Sequence, residues 1–138
     1  MRIALVVSGP SSRRPGPTHD IGTVDDIDAG LVLAADSGWY DARRLGVVPH
    51  ELIGDLDSVR PEDVDDAVRL GVVVTRFPTD KDATDLELAL DRAVGWGAER
   101  IVVVGRGGGR LDHELGELLL LASPRYSDVV VEARLGGN

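Results

Sequence analysis

Apolar residues fall along this chain in short β-branched runs, separated by stretches with helical spacing. The runs Ile3–Val7, Leu31–Ala35, Val72–Arg76, Ile101–Val104 and Val129–Glu132 read as strands, with a less marked one at Glu51–Ile53. Several are almost continuously apolar, the pattern of strands covered on both faces. Between them, Trp39–Leu45 stops at Gly46, and Pro61–Leu70 opens with proline in its first turn and stops at Gly71. Ala83–Val94 puts Leu86, Leu90, Ala93 and Val94 on one stripe, and Leu111–Ala122 does the same with Leu115, Leu118, Leu119 and Ala122. Strands alternating with helices over short connections predict an α/β fold, a mostly parallel sheet wrapped by helices. Neither an internal repeat nor an interdomain linker interrupts the pattern, so residues 1–138 are expected to form a single domain. Ser8–Gly22, rich in Ser, Pro, Gly and Arg, is expected to be an irregular loop.

Composition narrows the function classes. The chain has 138 residues, 43% hydrophobic and 28% charged, ordinary for a globular domain. It has no Cys, which removes disulfides and thiolate metal sites. The net charge of −9 argues against a general nucleic-acid surface, which needs a basic stripe. It leaves nucleotide binding open, because Mg²⁺ can mediate between carboxylates and phosphates. The apolar opening is too short for a signal peptide and no segment approaches a membrane span. A cytoplasmic location is the expectation.

Four polar segments fall at the expected carboxyl ends of strands, where open α/β sheets bind ligands. They are Asp36-Ser37-Gly38, Gly54-Asp55-Leu56-Asp57-Ser58, Thr79-Asp80-Lys81-Asp82-Ala83-Thr84-Asp85 and Gly105-Arg106-Gly107-Gly108-Gly109-Arg110-Leu111-Asp112-His113. Asp55 and Asp57 are two apart, so an extended backbone would point them to one side. Asp82 and Asp85 are three apart at the start of a helical pattern, which would bring them onto one turn. Hard carboxylate oxygens at such spacing suit Mg²⁺ shared with substrate phosphates. Lys81, the only lysine, stands between two aspartates. The glycine run offers backbone amides and a helix start to phosphate oxygens, with Arg106 and Arg110 beside it. It is neither a Walker A motif, lacking Gly-Lys-Ser/Thr, nor the dinucleotide fingerprint, since Arg110 replaces the third glycine.

Each piece has an ordinary structural explanation. Gly-Asp-Leu-Asp-Ser has turn composition, Asp82 could cap a helix, Asp85 and Asp112 could complement a helix dipole, and the glycine run could be a bare connection. Trp39 and Tyr40 are more often core or interface than a stacking platform. Convergence of four such segments on one rim favours a site.

Taken together, Ala35-Asp36-Ser37-Gly38, Gly54-Asp55-Leu56-Asp57-Ser58, Lys81-Asp82-Ala83-Thr84-Asp85 and Gly108-Gly109-Arg110-Leu111-Asp112-His113, in this order, resemble the catalytic domain of the thiamine pyrophosphokinases. The resemblance runs over essentially the whole chain. It implies a Rossmann-like three-layer domain, followed in the family by a β-sandwich domain, in a homodimer with thiamine near the interface. It implies transfer of diphosphate from ATP, as co-substrate, to the thiamine hydroxyl, with release of AMP.

Carried over by motif, Asp55, Asp57 and Asp85 would hold Mg²⁺, with Asp82 adjacent. Lys81 and Thr84 would lie near the transferring group. Asp36, Ser37 and Gly38 would belong to the nucleotide segment. Ser58 and the run Gly107, Gly108 and Gly109 would also line the nucleotide site. Arg110 would meet phosphate and Asp112 would approach the acceptor. Ser37 stands where the family usually has Gly, Glu117 where it commonly has Asn, and the chain ends near where the second domain would begin. Three other readings stay open at this point: a diphosphokinase for another hydroxymethyl heterocycle such as a pterin, a non-catalytic nucleotide-binding module, and a metal-dependent phosphoesterase.

Overall fold

The computed structural model describes residues 1–8, 24, 26–78, 84–105, 113, 115–119 and 123–135. Among the described residues six strands are formed: β1 (Ile3–Ser8), β2 (Leu31–Ala35), β3 (Glu51–Gly54), β4 (Val73–Arg76), β5 (Arg100–Gly105) and β6 (Val130–Leu135). They make one sheet in the order β4-β3-β2-β1-β5-β6, and every pairing is parallel. The α/β expectation therefore holds, with a sheet that is parallel throughout. All six carboxyl ends share one rim. The chain steps outward from β1 to β4 and then returns to the other side of β1 as β5, which is the topology that opens a ligand crevice.

Helices α1 (Gly38–Arg44), α2 (Pro61–Arg69) and α3 (Asp85–Trp96) follow β2, β3 and β4. Residues 115–119 are also helical, and a short helix α4 (Ser123–Tyr126), which the hydrophobic pattern did not announce, precedes β6. Alternation along the strands sends side chains to two cores. Ala4, Val6, Leu31, Leu33, Ile53, Ile101 and Val103 pack with Leu86, Ala89, Leu90 and Ala93 of α3. On the other face, Ala34 and Leu52 pack with Trp39, Tyr40, Val64 and Ala67 of α1 and α2. Leu5, Val7, Val32, Val102 and Val104 complete that face with Ala42. Trp39 and Tyr40 are therefore core residues.

The edges behave differently from the centre. Val73 on β4 is 60% exposed and Val130 on β6 is 65% exposed, so the expectation of strands covered on both faces holds only for the central four. Helix α1 begins hard against the sheet. A β-carbon on Gly38 would stand 2.1 Å from the carbonyl oxygen of Val7, so only glycine permits this approach. The Tyr40 hydroxyl donates to Asp63 at 2.7 Å and accepts from the Arg60 amide at 3.1 Å, tying α1 to the start of α2.

Candidate functional site

Three carboxylates among the described residues meet on the rim. One oxygen from each of Asp36, Asp55 and Asp85 lies within 4.8 Å of the other two. Asp36 immediately follows β2, Asp55 immediately follows β3, and Asp85 is the first residue of α3, after β4. The parallel sheet sets three neighbouring chain ends side by side and so gathers residues 49 positions apart in sequence.

Local chemistry fixes each one. Asp36 has φ of +47°, a left-handed conformation that costs about 1–3 kcal/mol outside glycine. Its amide still bonds to the Ile53 carbonyl at 2.8 Å, and its own carbonyl accepts from Trp39 at 3.1 Å. The residue is thus clamped between the sheet and the first turn of α1. Leu56 also has a positive φ, +66°, and its side chain is buried in the second core. This turns the backbone between the two aspartates. The extended arrangement expected for Asp55 and Asp57 is not formed: Asp55 joins the cluster, while Asp57 is exposed and outside the trio. The Asp57 amide donates to Asp55 Oδ1 at 3.0 Å, which holds the turn closed.

Asp85 owes its place to a helix start and to a glycine. Thr84 is the N-cap of α3, with its hydroxyl accepting from the Glu87 amide at 3.1 Å. Helix α3 begins two residues later than the spacing suggested. The Asp85 carboxylate then lies against Gly54, whose φ is +143°. A β-carbon at Gly54 would stand 3.1 Å from Asp85 Cγ and 3.2 Å from each of its oxygens.

The electrostatics are those of a cation site. Two like charges at such separations cost about 3 kcal/mol at an effective dielectric near 20, so three ionised carboxylates call for a cation or a proton. Asp36 carries the strain. Burial, then the charges of Asp85 and Asp55, push its carboxyl from 3.8 up to about 6, against the pull of the Ser58 backbone amide. Its Oδ1 is buried and accepts no hydrogen bond among the described residues. A helix-dipole role for Asp85 alone would explain neither the crowding nor this unsatisfied oxygen.

Of the other anticipated residues, Ser37 is buried at the N-cap of α1, Gly38 opens that helix, and Ser58 and Thr84 are exposed at the rim. Lys81, Asp82, Gly107, Gly108, Gly109, Arg110 and Asp112 lie outside the described residues, as does the stretch 9–23. Sequence reasoning assigned Asp36 to a nucleotide segment and left it out of the metal set. Its proximity to Asp55 and Asp85 is a tertiary fact, and the only sequence signal for it was its position after a strand.

Comparison with known proteins identifies the family of this fold. Residues 27–132 match the family "Thiamin pyrophosphokinase, catalytic domain". A thiamine pyrophosphokinase from Bacillus subtilis (strain 168) is 33% identical over 119 residues, covering 86% of this chain and 53% of the relative. The crystal structure of a thiamin pyrophosphokinase family protein from Enterococcus faecalis superposes with a TM-score of 0.66 at 27% identity, covering 98% of this chain and 61% of that one. A thiamin pyrophosphokinase from Geobacillus thermodenitrificans gives a TM-score of 0.62 at 33% identity, over 96% and 59% of the two chains. The chain thus spans a little over half the length of these three relatives. The family match covers most of the chain, and this chain belongs to the thiamin pyrophosphokinase catalytic-domain family.

Proposed function

We propose that this chain catalyses Mg²⁺-dependent transfer of diphosphate from ATP to the hydroxyl of thiamine, giving thiamine diphosphate and AMP. The observation that carries the proposal is the convergence of Asp36, Asp55 and Asp85 on the rim, with the buried Asp36 Oδ1 unsatisfied by any described donor. The donor set is all carboxylate oxygen, which fits Mg²⁺ rather than a soft metal. Asp36, Asp55 and Asp85 would hold the ion, with Asp57 in the same turn as Asp55. When bound, Mg²⁺ supplies charge neutralisation across the phosphate oxygens of ATP.

The remaining work falls to the protein's own groups. Family membership supports placing Lys81, Arg110 and the Gly107, Gly108 and Gly109 amides around the phosphates, where they would offset the charge that develops at the β-phosphorus. Asp82 would lie beside the metal carboxylates. Ser37, Gly38, Ser58 and Thr84 would line the nucleotide, and Asp112 would orient the acceptor. The hydroxyl would attack in line, with AMP leaving, and catalysis would come mainly from positioning.

A homodimer, a cytoplasmic location and a role for residues 1–138 as one ATP-binding catalytic domain complete the reading. No helix among the described residues is long and apolar enough to cross a membrane.

An acceptor comparison tests the proposal. Chromatography of Mg-ATP incubations should show AMP with thiamine and none with a hydroxymethylpterin or with no acceptor. AMP dependent on the pterin instead would move the reading to another heterocycle. Mg-ATP bound yet unconverted with every acceptor would reduce the chain to a nucleotide-binding module.

A further inference from the structure

We infer that Glu51 and Arg92 form a positioning strut that sets the spacing of the carboxylate cluster. This inference rests on the metal reading proposed above. Strand β3 and helix α3 touch at two levels. At the rim, Gly54 at the end of β3 lies against the Asp85 carboxylate at the start of α3. At the opposite end of β3, Glu51 Oε1 accepts a hydrogen bond from Arg92 Nε at 2.9 Å. Arg92 stands about two helical turns beyond Asp85, so strand and helix run antiparallel and the two contacts are rungs of one ladder. Between the rungs, Ile53 packs into the core with Leu86, Ala89 and Leu90.

Glu51 is an unusual residue for its place. It is only 9% exposed and faces the core of the α3 side. Its second oxygen, Oε2, accepts from the Thr75 hydroxyl at 2.6 Å, so β4 joins the same carboxylate. Only the Glu51 side of the pair is enclosed, the Arg92 side chain being 46% exposed, and a pair open to solvent on one side adds little stability. What it adds is direction: apolar contacts let a helix slide or roll along a sheet, whereas a carboxylate oriented by Thr75 and bonded to Arg92 of the helix fixes its register. Helix α3 is a rigid rod, so a slide at Arg92 moves Asp85 by the same distance relative to Asp55. Mg²⁺ and Mn²⁺ hold oxygen ligands at short, well-defined distances, and a slide of about 1 Å would spoil the set.

The test is Mn²⁺ binding to the full chain, followed by electron paramagnetic resonance, beside thermal melting of each variant. Arg92→Met keeps the aliphatic stem and removes the charge, and it should weaken Mn²⁺ binding about tenfold. Thr75→Val removes one hydroxyl from the same carboxylate and should act in the same direction by less, which secures the test should Arg92→Met fail to fold. Arg92→Lys should restore affinity towards that of the unaltered chain. Unchanged Mn²⁺ affinity in Arg92→Met and Thr75→Val, with only the melting temperature lowered, would overturn the inference and leave the metal reading intact. An unaltered chain that binds no Mn²⁺, or binds it equally well as Asp85→Asn, would instead remove the metal reading and the strut with it.

Discussion

The Asp85 carboxylate lies against Gly54, so close that a β-carbon there would meet all three carboxylate heavy atoms at 3.1–3.2 Å. Glycine is required twice over, because φ at this position is +143°. Gly54→Ala is expected to destabilise the fold by about 1–3 kcal/mol and to displace Asp85 from Asp55. Chemical denaturation gives the first effect. Titration with Mn²⁺ gives the second, as a loss of affinity in protein that is still folded.

The crowding at Asp36 gives a pH signature. Its carboxyl is raised from 3.8 to about 6, so between those values the folded chain holds a proton that the unfolded chain has released. Folding stability from this group therefore falls as pH rises from about 4 to about 6, and stays reduced above it. Asp36→Asn removes the charge. In EDTA at pH 8 it should be more stable than the unaltered chain by about 1–2 kcal/mol, a figure discounted for partial exposure. The gain should vanish at pH 4. Equal stability of the two proteins at pH 8 would show that the site carries no electrostatic strain.

The carboxylates should rank by position. Asp55→Asn and Asp85→Asn each remove a member of the trio and should lower kcat/KM about a hundredfold or more. Asp57→Asn should cost less, because Asp57 is exposed and its amide, which survives the change, already holds the turn through Asp55. Steady-state kinetics at saturating Mg²⁺ decide the ranking. A larger loss at Asp57 than at Asp55 would reverse the assignment of the two.

Thr84 caps the helix that carries Asp85. Thr84→Ala should cost about 1 kcal/mol through the orphaned Glu87 amide, and Thr84→Ser should recover most of it. Thermal melts of the three proteins measure this.

The fold was largely legible because its signal is local. Runs such as Leu31–Ala35 and Ile101–Val104 carry β-branched residues and lie at the sheet centre, where burial on both faces enforces the pattern. The start of α3 was read from its apolar stripe as Ala83, with Asp82 as a possible cap, whereas Thr84 is the residue that caps it. The turn at Leu56 was not legible. A leucine at φ +66° is held there by burial of its side chain, and nothing in Gly-Asp-Leu-Asp-Ser announces it. Asp36 was legible as a rim residue from its position after a strand, but its approach to Asp55 and Asp85 was not, since those come from the end of β3 and the start of α3. Glu51 read as one residue of a faint strand, and its pairing with Arg92 depends on how α3 lies across β3.

Phosphorus NMR of the chain with Mg-ATP, with and without thiamine, tests the central claim most directly. The account predicts AMP and thiamine diphosphate appearing in equal amounts, only when thiamine is present, and neither once EDTA removes the metal. Formation of ADP or free phosphate without an acceptor, or ATP left intact with saturating thiamine and Mg²⁺, would contradict it.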